Sequence, residues 1–287
     1  MKYLMIPLIP FALLAQIERW VYVYDGFGSN EDIAYALTCG SDGNIYAVGK
    51  SVNTGSSIDL IVTSLKDNGD TNWMYIYDYC GSEDMAMSVV HGLDNNIYVA
   101  GQSASETTYL DFLVLSLTMD GDTNWTYRYD GPAHYGDAAY SIAYGLDGNI
   151  YVAGISGGAS SGSDVFVVSL STDGDTNWTY RHNGYGVSDD GANTIVYGAD
   201  GNIYVAGVCC GETTAWDFFV MSLSSAGDTN WTYCYDGGLS YDAARSVVYG
   251  LDGSIYAAGY SRDADSSWLF TVISLTDEGN ENWVYTY

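Results

Sequence analysis

Residues 111–156 read DFLVLSLTMDGDTNWTYRYDGPAHYGDAAYSIAYGLDGNIYVAGIS and contain one complete repeat unit. Four short apolar runs, DFLVLSL, WTYRY, SIAYG and IYVAG, are separated by segments rich in Asp, Gly and Asn. Asp-Gly between alternating runs is a strong hairpin signal, because glycine adopts positive φ without steric cost. The stretch therefore predicts four short antiparallel strands joined by tight turns.

The same unit recurs along the whole chain. Tryptophans mark it at intervals of 53, 52, 53, 53 and 52 residues, at Trp20, Trp73, Trp125, Trp178, Trp231 and Trp283. A fixed period of this length indicates a propeller or a solenoid. One such sheet cannot bury both faces, whereas five sheets stacked radially can. We therefore predict an all-β protein, a five-bladed β-propeller of four-stranded antiparallel blades, with blades at about 30–77, 82–129, 135–182, 188–235 and 240–287.

The outermost strand of each blade carries an aromatic ladder. Trp125, Tyr127 and Tyr129 alternate along WTYRY, so their side chains share one face of the strand. Burying each ring contributes roughly 2–3 kcal/mol, which predicts that the ladder packs against the neighbouring blade.

The composition excludes several classes of partner. Lys plus Arg is 8 and Asp plus Glu is 36, for a formal net charge of −28. Such a chain repels nucleic-acid phosphates and anionic lipid surfaces. The apolar run Tyr3–Ala15 is too short for a transmembrane helix. We expect residues 1–17 to be a signal-like or assembly segment, followed by a single propeller domain at 18–287.

Specific residues of the repeat resemble a known family. They are Asp111 opening the third strand, Ser116-Leu117 closing it, Asp137 before the first strand, and GNIYVAG at 148–154. Over residues 18–287 the chain resembles the bacterial extracellular β-propeller repeats known as SBBP repeats and, more loosely, NHL-type blades. The resemblance implies a propeller that is secreted or lies at the cell surface, and it implies no single activity. The five blades and the Trp/Tyr-rich fourth strand depart from the family pattern.

The fourth strand occurs once too often. The first three strands of the repeat occur five times each, and the Trp strand six times. WVYVY (20–24) and WVYTY (283–287) therefore compete for the outer edge of blade five, and the N-terminal copy is expected to be surplus. It either lies idle outside the ring or completes a sheet of another molecule, since strand addition to an exposed edge is a known binding mode. The residues of this predicted assembly site are Trp20, Tyr22, Tyr24, Trp283, Tyr285 and Tyr287.

Repeated polar residues supply the candidate ligands. An aspartate precedes the first strand of every blade, at Asp32, Asp84, Asp137, Asp190 and Asp242. These five either form a cation site at one mouth of the channel, with Ca²⁺ as the one cofactor considered, or accept backbone N–H bonds that order their loops. The aspartates that open the third strand, Asp59, Asp111, Asp164 and Asp217, are interpreted as strand anchors. N-glycosylation acceptor patterns occur at Asn124, Asn177 and Asn230.

The cysteines and histidines do not follow the repeat. Five cysteines, with no C-x-x-C pair, predict neither a zinc site nor a disulfide framework, and at most one local bridge between Cys234 and either Cys209 or Cys210. No catalytic constellation stands out. The sequence thus favours a non-enzymatic extracellular structural protein whose partner is itself and which forms filaments by donating its N-terminal strand. The alternative is a lectin-like binder of glycans, and a propeller glycoside hydrolase is favoured least.

Overall fold

The prediction of a five-bladed propeller is confirmed. The structure is a computed structural model that describes residues 20–26, 31–52, 57–105, 109–158, 162–184, 189–210, 216–238 and 241–287. Within these ranges the chain forms 20 β-strands and no helix. Accordingly, the described residues include no helix long and apolar enough to cross a membrane. The predicted N-terminal segment 1–17 lies outside the described residues.

The strands form five sheets of four, each sheet ordered from its first strand to its fourth. Blade one contains β1 (Ile33–Cys39), β2 (Ile45–Val52), β3 (Ile58–Leu65) and β4 (Thr71–Tyr77); blade two β5 (Asp84–His91), β6 (Asn96–Ala104), β7 (Leu110–Thr118) and β8 (Thr123–Tyr129). Blade three contains β9 (Ala138–Tyr144), β10 (Ile150–Gly158), β11 (Gly162–Leu170) and β12 (Thr176–His182). Blade four contains β13 (Gly191–Tyr197), β14 (Ile203–Cys209), β15 (Asp217–Leu223) and β16 (Thr229–Tyr235); blade five β17 (Ala243–Tyr249), β18 (Ile255–Arg262), β19 (Trp268–Leu275) and β20 (Glu281–Thr286).

The Asp-Gly turns form as the sequence predicts. In blade three the Gly145 amide donates to the Asn149 carbonyl over 2.8 Å, and Gly148 adopts a φ of +83°. The Asp147 carboxylate accepts from the Asn149 amide and, over 2.6 Å, from the Tyr151 hydroxyl. The aspartate therefore ties the turn to a fully buried tyrosine of the second strand.

The core of the molecule lies between the blades. Blade two contributes Tyr98 and Phe112 to one cluster, and blade three contributes Val152 and Phe166. The rings of Phe112 and Phe166 meet edge to face at 5.3 Å. The Trp ladder packs against these clusters as predicted, and Trp125 Nε1 donates to the Thr172 carbonyl of the next blade over 2.8 Å.

Within the described ranges, the five blades share four such clusters. They join blade one to two, two to three, three to four and four to five. Among the described residues no core cluster joins blade five to blade one, where a closed ring would have a fifth interface. The first and last blades therefore each present one sheet face that the inner blades bury.

Candidate functional site

One face of blade one is exposed where every other blade is covered. Leu37 on β1 is 67% exposed, whereas its equivalents are at most 8% exposed. Those equivalents, which pair with the same position of the second strand, are Val89, Ile142, Ile195 and Val247. Ala34 is exposed as well, and Ala47 is half-buried. We call Ala34, Leu37 and Ala47 the blade-one face.

Blade five exposes the opposite face. Phe270 on β19 is 57% exposed, whereas the residues at its position in the other blades are fully buried; they are Leu60, Phe112, Val165 and Phe218. The aromatic ladder of β20 continues this surface with Trp283, Tyr285 and Tyr287, all exposed. We call Phe270 and these three residues the blade-five face. An exposed apolar surface of this kind is typical of an interaction site.

The N-terminal segment lies on blade one. Trp20 Nε1 donates to the Asp67 carbonyl over 2.8 Å, which is the bond that Trp125 makes to Thr172. Its ring also packs on Gly69, as Trp125 packs on Gly174. Trp20 thus takes the place that the fourth strand of a preceding blade would take.

Of the two Trp strands, only the C-terminal one pairs within a blade in the described part of the chain. The strand β20 pairs with β19 and completes blade five, and residues 20–26 lie outside all five sheets. The prediction that the N-terminal copy is the surplus one is confirmed, and Trp20 lies where the outer strand of a preceding blade would pack on blade one. A cavity of about 260 Å³, lined in part by Tyr24, Ala34 and Ala47, remains between that segment and blade one.

The aspartates before the first strands anchor loops, and all of them are buried except Asp32, which is half-buried. Asp137 accepts from the Gly131 amide over 2.7 Å and from the Gly157 amide over 3.1 Å. Asp190 and Asp242 make the equivalent bonds, and Asp32 accepts from the Gly26 amide. Burial raises the pKa of Asp84 to about 6. Each of these carboxylates thereby ties a loop to the end of a neighbouring strand.

Two of these aspartates belong to local acidic clusters. Asp137 lies with Asp111 and Asp130, and Asp242 with Asp217 and Asp236, their oxygens within 4.8 Å of one another. The structure thus groups them with residues of the preceding blade rather than with the other predicted members of a cation ring. The Arg128 guanidinium also pairs with Asp111 at 2.5 Å. The Ca²⁺ site stays a prediction.

The three predicted glycosylation acceptors share a structural role. Asn124 Nδ2 donates to Asn96 Oδ1 over 3.0 Å and to Ser116 Oγ over 3.1 Å. Asn177 and Asn230 make the same pair of bonds in their blades. Because Nδ2 is the atom that would carry a glycan, and a glycosylated amide keeps a single N–H, modification would remove one of these two hydrogen bonds.

Sequence analysis missed one position at which the blades differ. A bulge interrupts the first strand of every blade. The bulged residues are Tyr35, Met87, Tyr140, Asn193 and Arg245. Three of them, Tyr140, Asn193 and Arg245, line a cavity of about 270 Å³ together with Trp216 and Tyr260. The available signal was a residue that changes in size and charge from blade to blade while both of its neighbours stay small.

Comparisons with known proteins identify the fold and no family. No protein-family model and no curated protein matches the chain. A solved glucose dehydrogenase is similar at 10% identity and a TM-score of 0.50, covering 88% of this chain and 86% of that one. A gluconolactonase from Xanthomonas campestris has 11% identity and a TM-score of 0.45, and the match covers 79% of this chain and 69% of the gluconolactonase. An α-L-arabinofuranosidase from Clostridium thermocellum has 13% identity and a TM-score of 0.41, and the match covers 91% of this chain and 96% of the arabinofuranosidase.

These neighbours correct one expectation. The sequence favoured a protein that is not an enzyme, on the ground that no catalytic constellation stands out. The glucose dehydrogenase is an enzyme built on a similar propeller, so that exclusion was wrong. At such identities the likeness shows the fold alone and assigns no activity to this chain.

Proposed function

We propose that this protein assembles head to tail, with the blade-five face of one copy packed against the blade-one face of the next. The observation that carries the proposal is the pair of open faces. The chain builds the same blade-to-blade interface four times internally, and its two ends present the two unused halves of a fifth.

The two halves are complementary in shape and chemistry. Inside the chain, Tyr98 and Phe112 on one blade pack against small or branched residues such as Ala139 on the next. The blade-five face offers Phe270 at the position of Phe112, beside Tyr256 at the position of Tyr98, and the blade-one face offers alanine and leucine. Because the halves lie at opposite ends of the blade array, their contact is heterologous and propagates from subunit to subunit.

The N-terminal segment competes with this contact. A neighbour's Trp283 would need the Asp67 carbonyl that Trp20 already occupies. The segment makes no strand pairing, whereas β20 is paired along β19, with Phe270 and Tyr287 exchanging bonds of 2.9 and 3.0 Å. The segment is therefore the weaker occupant. It acts as a displaceable cap on blade one, and this mechanism replaces the strand donation that the sequence suggested.

Charge sets the conditions for assembly. Two copies with a net charge of −28 each repel one another in water. Salt screens this repulsion, since the Debye length falls from about 10 Å at 0.1 M to about 3 Å at 1 M. Apolar burial is not weakened in the same way, so assembly is expected to strengthen as salt is added.

The test uses one substitution on each face. Leu37→Glu places a charge on the blade-one face, and Phe270→Glu places one on the blade-five face; both sites are exposed, so the fold is retained. By sedimentation velocity in about 0.5 M NaCl, the parent protein is expected to form a concentration-dependent series of oligomers. Each variant alone is expected to remain a monomer of 31.1 kDa.

Mixing the two variants gives the decisive result. Each variant retains one intact face, so an equimolar mixture is expected to form dimers of roughly 62 kDa, twice 31.1 kDa, and nothing larger. Trp20→Ala weakens the cap and is expected to promote assembly of the parent protein. A monomeric parent protein at all salt concentrations, or a mixture that stays monomeric, would refute the proposal.

A second candidate function rests on the bulge cavity. Tyr140, Trp216 and Tyr260 surround it with aromatic rings, and Asn193 and Arg245 add hydrogen-bond donors. Convergent aromatic and polar groups in a cavity of this size suit a small polar ligand such as a sugar. The measurement is calorimetric titration with neutral and acidic oligosaccharides. Binding that Trp216→Ala abolishes would support this function, and the absence of heat with every sugar would reject it.

A further inference from the structure

Blades two and three share a polar clamp between their second and fourth strands. Arg128 Nη1 lies 2.5 Å from Ser103 Oγ, and Arg181 Nη2 lies 2.5 Å from Ser156 Oγ. In both blades the serine and the arginine are 25 residues apart. Each arginine also pairs with the aspartate that opens the third strand, at 2.5 and 2.6 Å.

Blade four replaces both members of this clamp. Cys209 stands at the serine position and Cys234 at the arginine position, again 25 residues apart. The two Sγ atoms lie 2.7 Å from each other. Neither cysteine fits the repeat alone, but together they occupy the place of one interaction. The paired replacement indicates that they act as a unit.

We propose that Cys209 and Cys234 form a disulfide that replaces the Ser–Arg clamp in blade four. The neighbouring Cys210 is directed elsewhere, because residues next to each other on a strand point to opposite faces. Its Sγ lies 3.6 Å from the Asp189 carbonyl, and its amide donates to Asp190 Oδ1. The sequence alone allowed Cys234 to pair with either Cys209 or Cys210, and the geometry favours Cys209.

The surroundings define the order of the reaction. Cys209 is 2% exposed, whereas Cys234 is exposed, and a cavity of about 320 Å³ borders both. The hydrogen bond from the Cys209 thiol lowers the pKa of Cys234, so Cys234 is the attacking thiolate. It attacks a small oxidising disulfide such as oxidised glutathione, forming a mixed disulfide and releasing one glutathione thiol. Cys209 then loses its proton to water and attacks Cys234 Sγ, releasing the second; two protein thiols are oxidised and one glutathione disulfide is reduced.

The bridge also suits the acidic surroundings of the pair. In blades two and three the arginine offsets the charge of the third-strand aspartate, and in blade four Cys234 stands at the arginine position while Asp217 opens the third strand. The charges of Asp190 and Asp217 disfavour a thiolate beside them. A disulfide carries no ionisable group, so it links the strands without adding negative charge. Disulfides persist in oxidising compartments, which agrees with an extracellular location for this protein.

The test incubates the purified full chain with oxidised glutathione and alkylates it after denaturation without reductant. The protein has five cysteines, so one disulfide leaves three cysteines to be alkylated. Before alkylation, the oxidised protein should be about 2 Da lighter than the fully reduced protein, because the disulfide lacks two hydrogens. Peptide mapping should show Cys209 linked to Cys234. Alkylation of all five cysteines, or a link that involves Cys210, would overturn the assignment.

Stability provides the second readout. Closing the loop between the two cysteines is expected to raise the Tm by roughly 7 °C in the oxidised protein relative to the reduced one. Cys210→Ser should retain this difference. The double variant Cys209→Ser/Cys234→Arg restores the clamp of blades two and three, and its Tm should not respond to reductant. A Tm of the parent protein that is the same with and without reductant would contradict the proposal.

Discussion

The same tryptophan should contribute differently to stability in an inner blade and in the last one. Trp125 contacts Tyr98 at 5.9 Å between ring centroids and donates a 2.8 Å hydrogen bond across the blade interface. Trp283 retains the equivalent ring contact, with Tyr256 at 6.1 Å, but lies on the open blade-five face. Complete burial makes a Trp→Ala change cost about 3–5 kcal/mol. Trp125 is half-buried, so we expect Trp125→Ala to cost about 3 kcal/mol, of which the hydrogen bond contributes about 1 kcal/mol.

For Trp283→Ala only the contact within its own blade is lost, which corresponds to about 1 kcal/mol. The assay is thermal unfolding in dilute protein at low salt, where assembly is weakest. At about 2 °C per kcal/mol for a chain of this length, the Tm should fall by roughly 6 °C for Trp125→Ala and by about 2 °C for Trp283→Ala. Equal losses would refute the reasoning, since they would mean that Trp283 packs in an interface like that of Trp125, as in a closed ring.

Three further results follow from the structure. Gly174 and Gly148 have similar backbone conformations, with φ of +87° and +83°. A Cβ at Gly174 would lie 2.8 Å from the Trp125 ring, whereas a Cβ at Gly148 would meet nothing within 4 Å. In chemical denaturation, Gly174→Ala should therefore lower the free energy of unfolding by about 1–2 kcal/mol more than Gly148→Ala. The pKa of Asp84 is raised to about 6, so this carboxyl binds a proton more readily in the folded state than in the unfolded chain. Its protonation should add about 2 kcal/mol to the free energy of unfolding between pH 7 and 4.5, measured as the difference in pH dependence between the parent protein and Asp84→Asn. Arg128→Met leaves the Asp111 carboxylate buried without its partner and should cost about 3 kcal/mol, a loss that adding Asp111→Asn should largely reverse in the same denaturation assay.

The fold was predictable from the sequence because the same four-strand pattern occurs five times along the chain. The Asp-Gly turns, the alternating apolar runs and the Trp ladders all predict the same four-stranded unit. Where one copy departs from the pattern, the other copies still indicate the strand boundaries. The aromatic ladder was also predictable, since alternation along WTYRY places its rings on one face. These features depend on residues close together in sequence.

The open interface was not predictable in the same way. Period and composition count blades, but they do not state whether the last blade packs against the first. Leu37 and Val89 occupy equivalent repeat positions, and only the arrangement of the blades leaves the first exposed and buries the second. Likewise, the first-strand bulge that brings Tyr140 and Arg245 to one cavity depends on the pairing register, which the letters of a single strand do not specify.

Cryo-electron microscopy of the parent protein in high salt tests the central claim most directly. The account predicts rows of propellers in which blade five of one subunit packs on blade one of the next, with Trp283 of one copy at the Asp67 carbonyl of its neighbour. Separate particles, each a closed five-bladed ring with Trp283 packed on blade one of its own chain, would contradict it.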